Sequence, residues 1–438
     1  MQVKVIKFGG SSLADAEQFK KVADIIHEDP ARRYVVPSAP GKRFKEDTKV
    51  TDMLYACFEK AMKGDDFEAD FDKIIERYES IIADLGLDLD MTKEYDRIKS
   101  AFAHRPGRDY AASRGEYLNG IILAKYLGFD FIDAASVIFF QENGSYDSEH
   151  TNVMLSSILR NHEYAVIPGF YGSMPNGTIK TFSRGGSDIT GSIVARAVNA
   201  DLYENWTDVS GFLMADPRII DNPKPIETIT YRELRELSYM GATVLHEDAI
   251  FPVRFAGIPI NIKNTNIPSD PGTMIVSTTS DYASGDVITG VAGKKGLSVI
   301  NIEKDMMNAE IGFGRKVLSV LEENNVPFEH LPSGIDTMSV VVNTSYIDNN
   351  RDKLVREICL KTTPDAVSIE DGLALIAIVG RGMIRSKGTA ARVFNSLTAA
   401  NINVRIVDQG SSELNIIIGV DENDYENALR AIYEEFVK

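Results

Sequence analysis

Near the N-terminus, a short alternating strand runs into a glycine-rich turn that carries one lysine. The run reads Lys7-Phe8-Gly9-Gly10-Ser11-Ser12, and a helix is predicted from about residue 13. Glycine allows close backbone approach, amides at a helix N-terminus face an anion, and lysine adds a full positive charge. The pattern therefore favours phosphate binding over an ordinary strand–turn–helix junction. It is not a Walker A loop, because the G-x-x-x-x-G-K-[ST] spacing is absent from the chain.

A second glycine-rich turn, again before an apolar helix, combines a cation with a carboxylate. It reads Phe182-Ser183-Arg184-Gly185-Gly186-Ser187-Asp188. Arginine grips a carboxylate through two parallel hydrogen bonds, and Asp188 could orient other groups or help to hold Mg²⁺. Ser187 and Asp188 are also good helix-capping residues, so capping and ligand binding can coexist here.

Two weaker motifs have plainer explanations. The only tryptophan precedes Thr207-Asp208, and Ala215-Asp216-Pro217-Arg218 follows. A polar loop after a strand suits nucleotide recognition at the carboxyl end of a sheet, and a plain turn is the alternative.

Glu116, at a predicted helix start, could receive an ammonium group. The usual alternative is a solvated glutamate in the first helical turn.

The elements around these motifs alternate between apolar strands and helices from residue 121 to 225, which predicts an α/β fold with a largely buried sheet. An acidic helical stretch over 60–104 has one apolar face and is expected to form a cap on the body. A linker-like segment, 264–273, precedes two segments with the same strand–helix–strand order. We interpret them as an internal repeat of about 75 residues, two small α+β modules in tandem.

Composition and net charge argue against nucleic-acid-binding, membrane-spanning and secreted classes of protein. The chain has 438 residues, 44% of them hydrophobic, and a formal net charge of −17. The charge argues against nucleic-acid partners and anionic membrane surfaces, and no apolar run approaches the roughly 18 residues of a membrane span. The N-terminus lacks signal-peptide features, and two distant cysteines fit a reducing compartment, so a cytoplasmic location is expected.

The four motifs, in this order, resemble those of the aspartokinase family over essentially the whole chain, and the tandem modules resemble its ACT domains. The resemblance implies an amino-acid kinase fold, a three-layer α/β/α sandwich around a mixed sheet, followed by two α+β ACT domains. The implied boundaries are 1–280 for the kinase domain, 281–365 for the first ACT module and 366–438 for the second. A strand near 286–292 could complete the second module.

By motif position, the resemblance assigns the site residues. Those implied at the ATP phosphates or elsewhere in the nucleotide site are Lys7, Phe8, Gly9, Gly10, Thr207, Asp208 and Arg218. Those implied at aspartate are Thr51, Glu116, Arg184, Gly185, Gly186 and Ser187. Arg184 would hold the α-carboxylate and Glu116 the α-ammonium, while Lys7 and Asp188 would be catalytic. No metal ligands are assigned.

The chain departs from the family pattern at two positions. Leu213 stands where many members have tyrosine, and Thr243 stands where many have a lysine. If that lysine normally helps with the nucleotide, another group must do so here, and Lys263 is the candidate by proximity in sequence.

The resemblance implies ATP- and Mg²⁺-dependent phosphorylation of the L-aspartate side chain to 4-phospho-L-aspartate, the first step of lysine, threonine and methionine biosynthesis. It also implies a homodimer or homotetramer, regulated by lysine or threonine at the ACT domains. The alternatives are another amino-acid kinase, such as one acting on glutamate, a sensor without turnover, or a purely structural protein. A fused homoserine dehydrogenase is not expected.

Overall fold

The structure, a computed structural model, describes residues 2–104, 107–183, 185–241, 245, 247–277 and 286–437. The chain divides into two compact units. The first takes the described residues within Met1–Phe212, Pro225–Tyr231 and Thr243–Ala283, and the second takes those within Leu213–Lys224, Arg232–Ala242 and Ser284–Lys438. None of the described helices is both long and apolar enough to cross a membrane.

The first unit is built on a mixed sheet of eight strands in the order β3-β4-β2-β1-β7-β9-β10-β8. All neighbouring pairs are parallel except β9 and β10. Strands β5 and β6 form a separate hairpin. The strands are β1 (Lys4–Phe8), β2 (Arg32–Pro37), β3 (Asp130–Phe131), β4 (Ala165–Val166), β5 (Tyr171–Ser173), β6 (Ile179–Thr181), β7 (Leu202–Thr207), β8 (Thr228–Thr230), β9 (Ile260–Asn264) and β10 (Thr273–Val276).

In the described part of the chain, eight α-helices belong to the first unit, and a further helix, α8, belongs to the second unit from Arg232 onward. The predicted cap appears as α3 and α4, and most of their large apolar residues are buried. The helices are α1 (Ala16–Glu28), α2 (Val50–Lys63), α3 (Glu68–Asp84), α4 (Thr92–Ala103), α5 (Arg108–Leu127), α6 (Ser148–Leu159), α7 (Gly186–Ala197), α8 (Tyr231–Tyr239) and α9 (Phe251–Ala256).

The first glycine turn leads into a one-turn 3-10 helix, Gly10–Leu13, and α1 begins later than predicted. The reason is local. The Asp15 side chain accepts a hydrogen bond from the Gln18 amide at 3.0 Å and caps the helix there. The cap satisfies one amide at the α1 N-terminus, and it is the 3-10 turn that follows the glycines directly.

The second unit contains one antiparallel sheet in the order β12-β13-β11-β14-β16-β15. Residues 290–294 of β11 pair with residues 375–379 of β14, and the pairing resumes beyond a bulge. The strands are β11 (Gly290–Glu303), β12 (Phe328–His330), β13 (Thr337–Asn343), β14 (Ala366–Val379), β15 (Ile406–Asp408) and β16 (Asn415–Asp421). The helices are α10 (Phe313–Glu323), α11 (Arg351–Thr362), α12 (Thr389–Ala399) and α13 (Tyr425–Phe436).

The internal repeat is visible in backbone conformation. Left-handed residues recur at a separation of 76 positions: Gly296 and Gly372, Gly312 and Gly388, Asn325 and Asn401. The second pair precedes α10 and α12, and the third follows them. Glycine and asparagine tolerate this conformation best. The two modules therefore have the same residue type, glycine or asparagine, at equivalent positions where the backbone is left-handed. The division at residue 365 remains a prediction, because both modules share one sheet.

Candidate active site

The carboxyl ends of β1 and β7 bring a buried cation next to a carboxylate. Lys7 pairs with Asn205 across the two parallel strands, so their side chains lie on one face of the sheet. Lys7 Nζ is 2.6 Å from Asp188 Oδ1, in the first turn of α7, and Asn205 Nδ2 donates to the same oxygen at 2.8 Å. Lys7 is only 7% exposed. The two predicted catalytic residues are therefore in direct contact.

The backbone of the first glycine turn is packed against a second loop. The Gly9 amide donates to the Trp206 carbonyl at 3.0 Å, and the Gly41 amide donates to the Gly10 carbonyl at 2.8 Å. A Cβ on Gly10 would lie 2.8 Å from the Ala39 carbonyl oxygen, and one on Gly41 would lie 2.6 Å from the Gly10 carbonyl carbon. Glycine is thus required at both positions by close backbone approach.

Glycine is also required for steric reasons in the second glycine-rich turn. Gly185 precedes α7 with a φ of +58°, a conformation that favours glycine. A Cβ on Gly186 would collide with the Phe170 ring. Ser187 is buried at the start of the helix. Together these residues place Asp188 beside Lys7, whereas Arg184 lies outside the described residues.

Glu116 occupies a different setting from the one predicted. Helix α5 begins at Arg108, so Glu116 lies in its interior rather than in a first turn, and it is 5% exposed. The solvated alternative is therefore wrong. Burial raises the pKa of this carboxyl to about 8, although a backbone hydrogen bond at Ala39 favours the ionised form. Within the described residues, Glu116 Oε2 has no hydrogen-bond partner. A buried carboxylate oxygen without a donor is suited to a cationic ligand.

A cavity of about 550 Å³ joins these features. It contains six of the predicted site residues: Gly9, Gly10, Thr51, Glu116, Thr207 and Asp208. A Cβ on Gly9 would lie 3.7 Å from Lys7 Nζ, so the Lys7 ammonium group lies next to one lining residue of the cavity. The remaining lining residues are Ser11, Ser38, Ala39, Pro40, Gly41, Lys42, Phe44, Lys45 and Lys49.

Two predicted residues lie elsewhere. The Phe8 side chain is fully buried beside Trp206, with ring centroids 6.1 Å apart, so only its backbone can belong to a binding turn. Arg218 lies in the second unit, where its guanidinium pairs with Asp216 at 2.6 Å. Its part in nucleotide binding remains a prediction.

Lys263 does not replace the missing lysine at the Lys7 side of the sheet. It pairs with Trp206 across β7 and β9, one position after the Asn205 that faces Lys7. Because side chains alternate along a strand, Lys263 and Lys7 point to opposite faces. Its Nζ is 5.2 Å from the centre of the Trp206 ring, and burial lowers its pKa. Thr243 lies outside the described residues.

The sequence reasoning missed the lysines at 42, 45 and 49, together with Asn205. A signal was available for the lysines, because three in eight residues are conspicuous in a chain of net charge −17. Asn205 could have been noticed as an amide in a buried strand. Among the described side chains, no three His, Cys, Asp or Glu residues are grouped to hold a metal ion.

Comparison with known proteins agrees with this geometry. Residues 2–264 match the amino acid kinase family and residues 376–436 match the ACT domain. Aspartokinase 3 of Bacillus subtilis is 39% identical, with 99% of this chain and 98% of that protein covered. The crystal structure of Clostridium acetobutylicum aspartate kinase is 54% identical, with a TM-score of 0.95 over 99% of this chain and 100% of that one.

A more distant structure supports the fold alone. E. coli aspartokinase III, crystallised with aspartate and ADP, is 24% identical, with a TM-score of 0.76 over 100% of both chains.

The fold, the glycine-rich cavity and the family matches define an amino acid kinase followed by an ACT region. Within that class, the chain belongs to the aspartokinase family. The predicted family and fold class are confirmed, and so is the enzyme class, a phosphotransferase acting on the carboxyl group of aspartate.

Proposed function

We propose that the chain transfers the γ-phosphoryl group of ATP to the side-chain carboxylate of L-aspartate and releases 4-phospho-L-aspartate. This is the first step of lysine, threonine and methionine biosynthesis. The observation that carries the proposal is the shared cavity. The Gly9–Gly10 turn and Glu116 line one cavity, and the ammonium group of Lys7, which is paired with Asp188, lies next to Gly9. That arrangement offers a phosphate site and an ammonium site to two substrates at once.

At the phosphate end, the residues would promote phosphoryl transfer by positioning the substrates and neutralising their charge. The aspartate side chain is already ionised at neutral pH, so the transfer needs no general base. Lys7 would offset charge on the β- and γ-phosphates, and its burial strengthens that effect. Asp188 and Asn205 hold the lysine at the carboxyl end of β1. Thr207 and Asp208 would contact the nucleotide.

At the amino-acid end, Glu116 would receive the α-ammonium of aspartate through Oε2, which has no hydrogen-bond partner among the described residues. Arg184 would hold the α-carboxylate, so that only the side-chain carboxylate points at phosphorus. Gly185, Gly186 and Ser187 would shape this end, and Thr51 would contact the substrate. Fixing both ends converts the encounter of two anions into an oriented, effectively unimolecular step.

Mg²⁺ would accompany the nucleotide. Magnesium is usually held by one or two carboxylates together with substrate phosphates, and it keeps several waters. Asp208 lines the cavity and supplies an oxygen ligand of the required kind. The ion would neutralise charge on the phosphates.

A coupled ADP-release assay with Mg·ATP tests the reaction. L-aspartate should support turnover, whereas L-glutamate and N-acetyl-L-glutamate should not. Turnover with glutamate or its derivative and none with aspartate would show that the chain is a different amino-acid kinase. No ADP release with any acceptor would favour a sensor without turnover.

For the second unit, we propose feedback regulation by lysine or threonine bound at the ACT region, in a homodimer or homotetramer. Glu329 pairs with Lys294 at 2.5 Å and also accepts a hydrogen bond from Tyr239. An amino acid bound near Glu329 would compete for this carboxylate through its own ammonium group. The same assay with added lysine or threonine identifies the effector, and light scattering determines the oligomer. Unchanged rates with both amino acids would contradict feedback by either.

A further inference from the structure

Three lysines of one loop face the candidate active site. The loop comprises residues 42–49 and connects the turn at Gly41 to helix α2, and we call it the basic loop. Lys42, Lys45 and Lys49 all line the cavity that contains Gly9 and Gly10. The first glycine motif supplies one lysine to this region, so among the described residues the basic loop adds most of the positive charge.

The base of the loop is held by a buried arginine from the cap. Arg77, 6% exposed, donates to Asp47 at 2.9 Å and to the carbonyls of Gly41 and Ala14 at 2.9 and 2.8 Å. Arg43 donates to the same carboxylate at 2.8 Å. Hydrogen bonds from Arg43 and Arg77 keep the pKa of Asp47 well below its usual range. The negative charge of Asp47 is therefore paired with these two arginines. The lysines therefore project from a fixed base.

No carboxylate of the described residues is paired with the lysine ammonium groups of this loop. Lys42 Nζ donates only to the Lys45 carbonyl, at 3.3 Å, among the residues that the structure describes. Lys45 and Lys49 make neither a hydrogen bond nor an ion pair with any described side chain. Some other lysines of this acidic chain are paired, among them Lys20 with Glu17 and Lys99 with Asp72, each at 2.6 Å.

We propose that Lys45 and Lys49 bind the polyphosphate of ATP, as a second set of phosphate contacts beside the Gly9–Gly10 turn. The inference deepens the proposed function and rests on it. Lysine binds phosphate as a point charge on a flexible stem, and unpaired cations at a cavity wall attract a polyanion. The number of charge contacts rises with the number of phosphates, so the lysines favour ATP over AMP.

The test is calorimetric titration of the double variant Lys45→Ala/Lys49→Ala with Mg·ATP, Mg·ADP and AMP, alongside steady-state kinetics. ATP affinity should fall about tenfold, ADP affinity less, and AMP affinity should stay within about twofold. The KM for ATP should rise in parallel, and the KM for aspartate should not. The double variant Lys45→Arg/Lys49→Arg should restore most of the ATP affinity.

Lys63→Ala is the matched control. It removes an exposed lysine at the far end of the same helix, α2, and should leave all three affinities unchanged. Equal losses for ATP and AMP, a change confined to the KM for aspartate, or wild-type affinity for ATP in the double variant would each overturn the inference. If the wild-type protein binds ATP but does not phosphorylate aspartate, the proposed function fails. The nucleotide titrations still test whether Lys45 and Lys49 bind the polyphosphate in that case.

Discussion

Lys7 Nζ lies 2.6 Å from Asp188 Oδ1, and the pair joins the end of strand β1 to the first turn of helix α7. The contact fixes the direction of the lysine before any substrate arrives. Preorganised charge is effective in catalysis because no reorganisation is needed when charge develops in the transition state.

Removing the cation should therefore affect turnover more than binding. We expect Lys7→Ala to lower kcat by about 100-fold or more, with a smaller change in the KM for aspartate, measured by ADP release. Lys4→Ala removes a lysine from the same strand that pairs with Asp29 instead, and its kcat should stay closer to the wild-type value. A near-normal kcat for Lys7→Ala would contradict the catalytic role.

The buried Glu116 carboxyl predicts that aspartate binding depends on pH. Its pKa is raised to about 8, so it is mostly protonated at pH 6 to 7 and must ionise to pair with an ammonium group. The KM for aspartate should fall as pH rises from 6 to about 9 and level off above that, because the carboxyl is only half ionised at its pKa and nears full ionisation about one pH unit higher. Glu116→Gln should raise the KM by roughly 30-fold at pH 8 and remove the slope. A wild-type slope in this variant would assign the titration to another group.

The two glycines of the first turn should respond differently to alanine. A Cβ on Gly10 would lie 2.8 Å from a backbone oxygen, whereas one on Gly9 has its nearest neighbour at 3.6 Å. We expect Gly10→Ala to lose about 1–3 kcal/mol of unfolding free energy and Gly9→Ala to lose little, measured by denaturant titration. Equal stabilities would show that the Ala39 loop moves aside at low cost.

Asp47 should matter for stability because it neutralises a buried arginine. Asp47→Asn leaves Arg77 without its carboxylate partner, and a loss of roughly 3 kcal/mol is expected near neutral pH. The pKa of Asp47 is lowered in the folded state, so its contribution is present above the unfolded pKa near 4 and disappears as pH falls through the folded value. The difference between wild type and variant should therefore shrink in acid.

Asp72→Asn provides the comparison for Asp47→Asn. It breaks an exposed pair with Lys99, 62% exposed on the Asp72 side, which should cost less than about 1 kcal/mol. Equal losses for the two variants would contradict the special role of the Arg77 site.

Much of the fold was predictable because its signals are local. Strand ends, glycine turns and the apolar face of α3 follow from residue type and spacing, and the predicted repeat of about 75 residues appears as left-handed positions 76 apart. Helix α1 was predicted too early because the capping contribution of Asp15 was overlooked. Glu116 was placed at a helix start because the beginning of α5 at Arg108 was missed.

The sequence by itself determined the positions of the glycine-rich turns, the order of the motifs and the family to which they belong, since each depends on neighbouring residues. Only the tertiary structure decided which charges meet. The Lys7–Asp188 pair, the orphaned oxygen of Glu116, the opposite orientation of Lys263 and the lysines of the basic loop all depend on segments distant in sequence. Burial and electrostatic interaction depend on distances in space, and those are set by the packing of sheet and helices.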